Sequence, residues 1–273
     1  SSKLPYLILI GILIVLLGIA AFLWVRRSPA EHVSSVPAST ETDSENGVIS
    51  LDNASAPADD SLEGVIAQAK LLADGYDYDG AINLLSSSTY ASDESVTAAI
   101  DEYNATKETL VRADPRKVTH VFFHTLIMDT SKAFDGDSRE KVMTTKDEFM
   151  KILQSMYERG FVLVRLHDVA YEVTAEDGSR HFQEGDIMLP EGKKPFVMSQ
   201  DDVCYYEYMD GDGFASRMII GEDGKPTNEM KMDDGSVSVG SYDLVPLLDD
   251  FIKEHPDFSY RGAKACIAFT GYN

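Results

Sequence analysis

The chain has few residues of several kinds, and each scarcity excludes a class of protein. Cysteine occurs only as Cys204 and Cys266 in 273 residues, too few for a fold held together by disulfides, and the sequence leaves their pairing open. Lysine and arginine number 24 against 46 aspartates and glutamates, which gives a formal net charge of −22. This acid excess makes nucleic acid and anionic lipid headgroups poor partners for the soluble part. We therefore expect no nucleic-acid partner.

Long apolar runs are scarce too, and the one present lies near the start of the chain. Residues 4–25 carry no charge and would span about 33 Å as a helix at ~1.5 Å per residue, enough for a hydrocarbon core. A cleaved signal peptide is the alternative, but its apolar region should be shorter and end in a small-x-small site. This run ends in Trp24-Val25-Arg26-Arg27. We predict an uncleaved transmembrane helix over residues 4–25.

The segment after this helix bears on which side of the membrane the rest lies. Residues 28–61 are rich in Ser, Ala, Pro, Thr, Asp and Glu, so they are predicted to be a flexible linker. Arg26 and Arg27 outnumber Lys3, which by the positive-inside rule favours a cytoplasmic C-terminal part. The chain does not begin with Met, and basic residues upstream would reverse that balance. We expect a single-pass cell-membrane protein whose C-terminal part is extracytoplasmic.

Helical periodicity follows the linker. Apolar and small residues recur at helical spacing through residues 62–113, with a break at residues 75–80, Gly-Tyr-Asp-Tyr-Asp-Gly. The break and its flanks look like the helix-turn-helix of one tetratricopeptide unit, although such solenoids need about three repeats to bury a core. We predict a small helical segment that acts as a spacer or packing brace and offers a possible surface for a protein partner.

Strands and helices alternate from residue 115 onward, which predicts an α/β domain over residues 115–273. The strands are β-branched and aromatic runs over residues 118–124, 161–166, 194–199 and 263–269. Helices are predicted over residues 144–159, opened by a threonine cap, and 243–254, ended by Pro256. Parallel neighbours need crossover connections, so this order indicates a mainly parallel sheet or barrel.

Asp201 and Asp202 follow the third of these strands directly. Two adjacent carboxylates there would repel each other unless a metal ion or a proton-transfer role makes use of their charge. The C-terminal ends of parallel strands are where α/β and β/α-barrel proteins place their chemistry. The alternative interpretation is a strand followed by a solvated acidic turn.

Five segments, taken in order, resemble those of one known family. They are Phe122-Phe123-His124, Met143-Thr144-Thr145, Gly160-Phe161-Val162-Leu163-Val164, Lys194-Pro195-Phe196-Val197-Met198-Ser199-Gln200-Asp201-Asp202-Val203 and Tyr242-Asp243-Leu244-Val245-Pro246-Leu247-Leu248. Over residues 118–273 the chain resembles the polysaccharide deacetylases, carbohydrate esterase family 4, in a form found in anaerobic Gram-positive bacteria. The resemblance implies the N-terminal part of a distorted (β/α) barrel that hydrolyses acetyl groups on a carbohydrate polymer of the cell envelope or environment.

The same resemblance implies roles for the two aspartates. Ser199-Gln200-Asp201-Asp202-Val203 stands where the family has Thr-Phe-Asp-Asp-Gly, so Asp201 would be the general base and Asp202 a ligand of a divalent metal, usually zinc. The family's remaining two ligands come from a His-x-x-x-His motif, which does not occur after Asp202. We expect the chain to be a fragment truncated before that motif, the alternative being a protein that has lost half its barrel. This 273-residue form should then bind zinc weakly and be inactive.

Two further features flank the aspartates. His124 ends its strand at the edge where barrel sites lie, so it is a candidate substrate contact; a hydrogen-bonded histidine at the barrel mouth is the alternative. Residues 204–241 form an acidic insertion in which Asp-Gly pairs separate short apolar runs, a hairpin signal. The insertion should lie beside the site and shape glycan access.

The function predicted from these features is that of a membrane-anchored, metal-dependent glycan deacetylase. One alternative is a catalytically inactive glycan-binding or scaffold protein on the same fold. Another is a structural surface protein in which Asp201 and Asp202 merely end a strand.

Overall fold

The computed structural model describes residues 59–133 and 143–270. The predicted transmembrane helix over residues 4–25 and nearly all of the predicted linker over residues 28–61 lie outside these ranges. Within them, no helix is both long and apolar enough to cross a membrane.

The described residues form a mixed α/β structure with several separate sheets. The helices are α1 (Leu62–Asp74), α2 (Tyr78–Ser87), α3 (Glu94–Glu108), α4 (Lys146–Glu158), α5 (Leu166–Val169) and α6 (Leu244–Glu254). The strands are β1 (Val111–Arg112), β2 (Thr119–Phe123), β3 (Phe161–Leu163), β4 (Ala170–Thr174), β5 (Arg180–Glu184), β6 (Met188–Leu189), β7 (Lys194–Val203), β8 (Arg217–Ile220), β9 (Pro226–Lys231), β10 (Val237–Gly240) and β11 (Cys266–Phe269).

Helices α1 to α3 confirm that most of residues 62–113 is helical, but the helices end at Glu108, and Val111–Arg112 form β1. Each begins at a side chain that accepts a backbone N–H, namely Ser61, Asp77 and Asp93, and so satisfies a donor that the first turn leaves open. Their apolar faces pack on one another in a core of their own. The buried members of that core are Val65, Ala69, Ala73, Ala81, Leu85, Val96 and Tyr103.

The parallel sheet is built around β7, the longest strand of the described ranges. Strand β2 pairs with one side of β7, while β3 and β11 pair with the other side, β3 near its start and β11 near its end. Ser199 is therefore level with both Phe122 and Cys266. The four strands are parallel, as predicted, but among the described residues they form an open sheet rather than a closed barrel.

One face of this sheet is covered by helices. The helix predicted over residues 144–159 is α4, and Thr145 opens it with a capping box in which Glu148 takes part. Alternate residues of β2, β3 and β7 pack against α4 and α6 in the largest core. Its fully buried aromatic side chains are Phe149, Phe196 and Phe258.

The opposite face is covered only near the start of the strands, and the turn between α1 and α2 covers part of it. Tyr76 is 5% exposed, lies in a core cluster with Val197 and Tyr260, and stacks on the Tyr260 ring at 6.2 Å. Its hydroxyl donates to the Asp257 carbonyl oxygen at 2.8 Å, and Arg261 N donates to the Gly75 carbonyl oxygen at 2.7 Å. The helical segment is thus joined to the parallel sheet by a buried contact.

Several details differ from the sequence prediction, and the strand predicted over residues 263–269 begins only at Cys266. Strand β3 ends at Leu163 instead of residue 166, because the Asp168 carboxylate accepts a hydrogen bond from Arg165 N at 2.7 Å and starts α5. Strand β7 extends to Val203 instead of ending at residue 199, because β11 pairs with its last residues. The hairpin of β4 and β5 was not predicted.

The acidic insertion forms the three-stranded antiparallel sheet β8–β9–β10, which confirms the hairpin prediction. Gly224 and Gly235 close the two turns with φ of 76° and 80°, the left-handed region that glycine adopts without steric cost. Each glycine follows an aspartate, as the Asp-Gly signal predicts.

Candidate functional site

The two aspartates lie among the last three residues of β7 and do not follow the strand. Asp201 is half-buried, and the side chain of Asp202 is 68% exposed. Asp202 has φ of 50°, a left-handed conformation that is uncommon for residues other than glycine, although aspartate tolerates it better than most. The backbone therefore turns between the two residues.

Asp201 is held by a hydrogen-bonded chain that spans two strands. Ser199 Oγ donates to Asp201 Oδ1 at 2.8 Å, and His120 Nε2 lies 2.9 Å from the same Ser199 Oγ. With the serine proton directed at the carboxylate, His120 Nε2–H is the donor to Oγ. The chain fixes one oxygen of Asp201, and among the described residues Oδ2 is left to contact solvent or a ligand.

His124 and Asp202 meet at the end of β2. His124 Nε2 lies 3.6 Å from Asp202 Oδ2, so the sequence-predicted substrate contact and the sequence-predicted metal ligand are neighbours. Phe122 lies between His120 and His124 along β2, with ring centroids 6.3 and 6.0 Å away, and is 58% exposed. We refer to His120, Phe122, His124, Ser199, Asp201 and Asp202 together as the histidine–aspartate face.

The donors on this face do not complete a zinc site. Asp202 and His124 provide two donors within reach of each other, whereas zinc in proteins takes three or four protein ligands. In residues 59–133 and 143–270 no three His, Cys, Asp or Glu side chains are grouped so as to hold a metal. His255, the single histidine after Asp202, ends α6 and packs on the rings of Tyr157 and Phe251 at 4.3 and 4.6 Å.

A second polar cluster lies under the covered face of the sheet, and the sequence did not reveal it. Asp243 caps α6 and is fully buried; Oδ1 accepts from Leu126 N at 3.0 Å and from Leu244 N at 2.8 Å. Its Oδ2 accepts from Gln200 Nε2 and from the Tyr205 hydroxyl, each at 2.8 Å. Burial raises the pKa of Asp243 despite these four donors.

This cluster connects the end of β7 to the acidic insertion. Asn228 of β9 is fully buried and donates from Nδ2 to the Tyr205 hydroxyl at 3.2 Å. Burial, with the nearby Asp243 carboxylate, raises the pKa of Tyr205, so its hydroxyl remains a donor. Gln200 Oε1 and Asn228 Oδ1 are buried and have no hydrogen-bond partner among the described residues. Hydrogen bonds through Asp243 and Tyr205 thus join the insertion to Gln200, the residue before Asp201.

The cysteines contribute no cross-link to this region. Cys266 is level with Ser199 in the sheet, exposed, and carries a free thiol, so no Cys204–Cys266 disulfide is present.

None of the family models, curated proteins and solved structures with which the chain was compared matches it. The roles assigned to Asp201, Asp202 and His124 therefore stay predictions, supported by the resemblance of the sequence and by the positions just described.

Proposed function

We propose that the protein is a membrane-anchored glycan deacetylase whose general base is Asp201. The observation that carries the proposal is the position of Asp201 at the C-terminal end of the central parallel strand, with one oxygen fixed by Ser199. That edge is where parallel-sheet proteins carry their chemistry. We further propose that the open sheet is part of a distorted barrel of the polysaccharide deacetylase type.

In this proposal Asp201 moves a single proton. Oδ2 accepts a proton from water as the water oxygen bonds to the acetyl carbonyl carbon, and the carboxyl then returns it to the amine nitrogen as the C–N bond breaks. The products are acetate and a free amino group on the sugar. Ser199 and His120 would hold the carboxylate in the orientation that this transfer needs.

A divalent metal, zinc in the family that the sequence resembles, would need ligands beyond those described. Asp202 and His124 would contribute two, and a third would have to come from residues outside the described ranges.

The proposal is tested by acetate release from N-acetylglucosamine oligomers, measured with the complete gene product from start to stop codon. Asp201→Asn should lower the rate by at least about 10²-fold, because an amide keeps the shape of the carboxylate but accepts no proton. Asp223→Asn, in the exposed β8–β9 turn, is the matched control and should retain the full rate. No acetate release by the unaltered protein, with or without added zinc, would refute the proposal.

A second candidate is a glycan-binding protein without catalysis. The exposed Phe122 ring beside polar side chains favours it. Binding of an oligomer without acetate release would distinguish this candidate from the first.

Cell-surface exposure is the third part of the proposal, because a glycan of the envelope can be reached only from outside. It is supported by the uncharged run over residues 4–25 and the polar linker after it. Protease added to intact cells should release the part after about residue 28 and leave the membrane segment behind. If the C-terminal part is cut only after the cells are lysed, it lies in the cytoplasm and this assignment is wrong.

A further inference from the structure

An aromatic ring lies in water at the centre of the histidine–aspartate face. Phe122 keeps 58% of its surface exposed, because its neighbours Val121 and Phe123 on β2 turn toward the core and Phe122 therefore points to the opposite face of the sheet. The two imidazole rings beside it do not cover it, since their centroids are 6.0 and 6.3 Å away. A phenylalanine ring surrounded by hydrogen-bonding side chains matches a ligand that has an apolar surface and a polar rim.

The charge of this face is negative, and within the described ranges no lysine or arginine forms an ion pair with either aspartate. Asp202 Oδ2 lies 3.6 Å from His124 Nε2, and Asp201 Oδ1 accepts the hydrogen bond from Ser199 Oγ. Other aspartates of the domain, such as Asp210 and Asp249, are paired with lysines. The face therefore combines two carboxylates and an aromatic ring, the two kinds of group that attract an ammonium ion.

We propose that the histidine–aspartate face binds a de-N-acetylated amino sugar, a glycan that carries free ammonium groups. In the metal-free protein the sugar ring covers Phe122, the ammonium group lies between Asp201 and Asp202, and the hydroxyls reach His120 and His124. The choice of a glycan rests on the proposed function. The preference for the amine over the acetamide rests on the charge and the exposed ring, and it makes the deacetylated polymer a ligand of the protein in its own right.

The size of the preference follows from the exposure of the groups. Asp202 is 68% exposed, so water weakens its attraction for an ammonium ion. The attraction between that ion and an exposed aromatic ring contributes a binding free energy of similar size. We expect a glucosamine tetramer to bind about tenfold more tightly than an N-acetylglucosamine tetramer at low salt. Salt should narrow this difference, because it screens exposed charges.

The test is isothermal titration calorimetry of the full chain in detergent with the two tetramers, at about 50 and 300 mM salt. Phe122→Ala should remove binding of both tetramers, and Asp202→Asn should remove the preference for the amine. Phe182→Ala is the matched control, since Phe182 is 77% exposed but belongs to the separate β4–β5 sheet, and it should bind as the unaltered chain does. Both substituted phenylalanines are exposed, so the variants should fold, which circular dichroism checks.

Three results would overturn the inference: binding of the acetylated tetramer as tight as that of the amine, unchanged binding by Phe122→Ala, or equal binding of a lysine tetramer. The last would mean that the face attracts any cationic oligomer. Acetate release is measured separately, so the two proposals fail independently. A complete gene product that prefers the amine tetramer but releases no acetate supports this inference and refutes the deacetylase. A complete gene product that releases acetate without that preference supports the deacetylase and refutes this inference.

Discussion

Replacing Asp243 with alanine should lower the free energy of unfolding by about 3 to 5 kcal/mol. The substitution removes the cap of α6 and leaves Leu126 N, Leu244 N, Gln200 Nε2 and the Tyr205 hydroxyl without their acceptor in the protein interior. Each buried donor without a partner costs about 1 to 3 kcal/mol, and the relief from burying a carboxylate offsets only part of this cost. Urea unfolding followed by circular dichroism measures the loss.

Asparagine at the same position should cost far less, under about 1 kcal/mol at pH 7. Its Oδ1 would accept the same two backbone N–H groups, and its Nδ2 would donate to Gln200 and Tyr205 once the Gln200 amide turns over. This rotation of the amide gives Gln200 Oε1 a donor, the new Nδ2, whereas in the unaltered protein this oxygen has no partner among the described residues. A loss equal to that of the alanine variant would show that the cluster requires the negative charge.

The pH dependence of stability separates the two variants further. Burial raises the pKa of Asp243 in the folded state above its value in the unfolded chain, so the folded protein binds the carboxyl proton more tightly than the unfolded chain does. The corresponding stabilisation is complete below the unfolded pKa of about 3.9 and is lost as pH rises through the folded pKa. Relative to Asp243→Asn, the unaltered protein should lose stability as the pH rises through that window. An unchanged difference would contradict the raised pKa.

Replacing Tyr76 with alanine should also lower the free energy of unfolding by about 3 to 5 kcal/mol, the usual cost of removing a buried aromatic ring. The ring fills the space between the helical segment and the parallel sheet and stacks on Tyr260. Tyr76→Phe removes only the hydroxyl that donates to Asp257, so it should cost about 1 kcal/mol.

The control for Tyr76 is Tyr208→Ala, because Tyr208 is 65% exposed and should contribute less than about 0.5 kcal/mol. Urea unfolding of the unaltered chain should be a single transition in which the helices and the sheet unfold together. In Tyr76→Ala the helices should unfold at lower urea. A loss below about 1 kcal/mol, or two transitions in the unaltered chain, would mean that the two parts are not coupled through Tyr76.

Local signals predicted the secondary structure well where packing follows a simple period. A threonine cap near residue 144 and a helix start at Asp243 were foreseen, and so were the turns at the Asp-Gly pairs of the insertion. Each of these signals depends on close neighbours in the chain. The β4–β5 hairpin was missed because nearly all of its residues are exposed, which leaves no apolar alternation to recognise.

The candidate site was foreseen only in part. The rule that parallel strands end at one edge of a sheet placed His124 near the aspartates, and the structure brings His124 to 3.6 Å from Asp202. Ser199 was quoted only as the first residue of a motif, and its bond to His120 depends on the register of β2 against β7, which periodicity does not fix. The buried role of Asp243 depends on Gln200 and Tyr205, 43 and 38 residues away in the chain.

The contact of Tyr76 also sets an order of events during synthesis. The helices emerge from the ribosome early, but Tyr76 bonds to Asp257, which follows it by 181 residues. At about 5 to 20 residues per second, the ribosome needs roughly 10 to 40 s to cover that distance. For this interval the turn between α1 and α2 presents an uncovered aromatic side chain. A chaperone that binds the nascent protein then finds the first helices formed but the sheet on which they pack not yet synthesised.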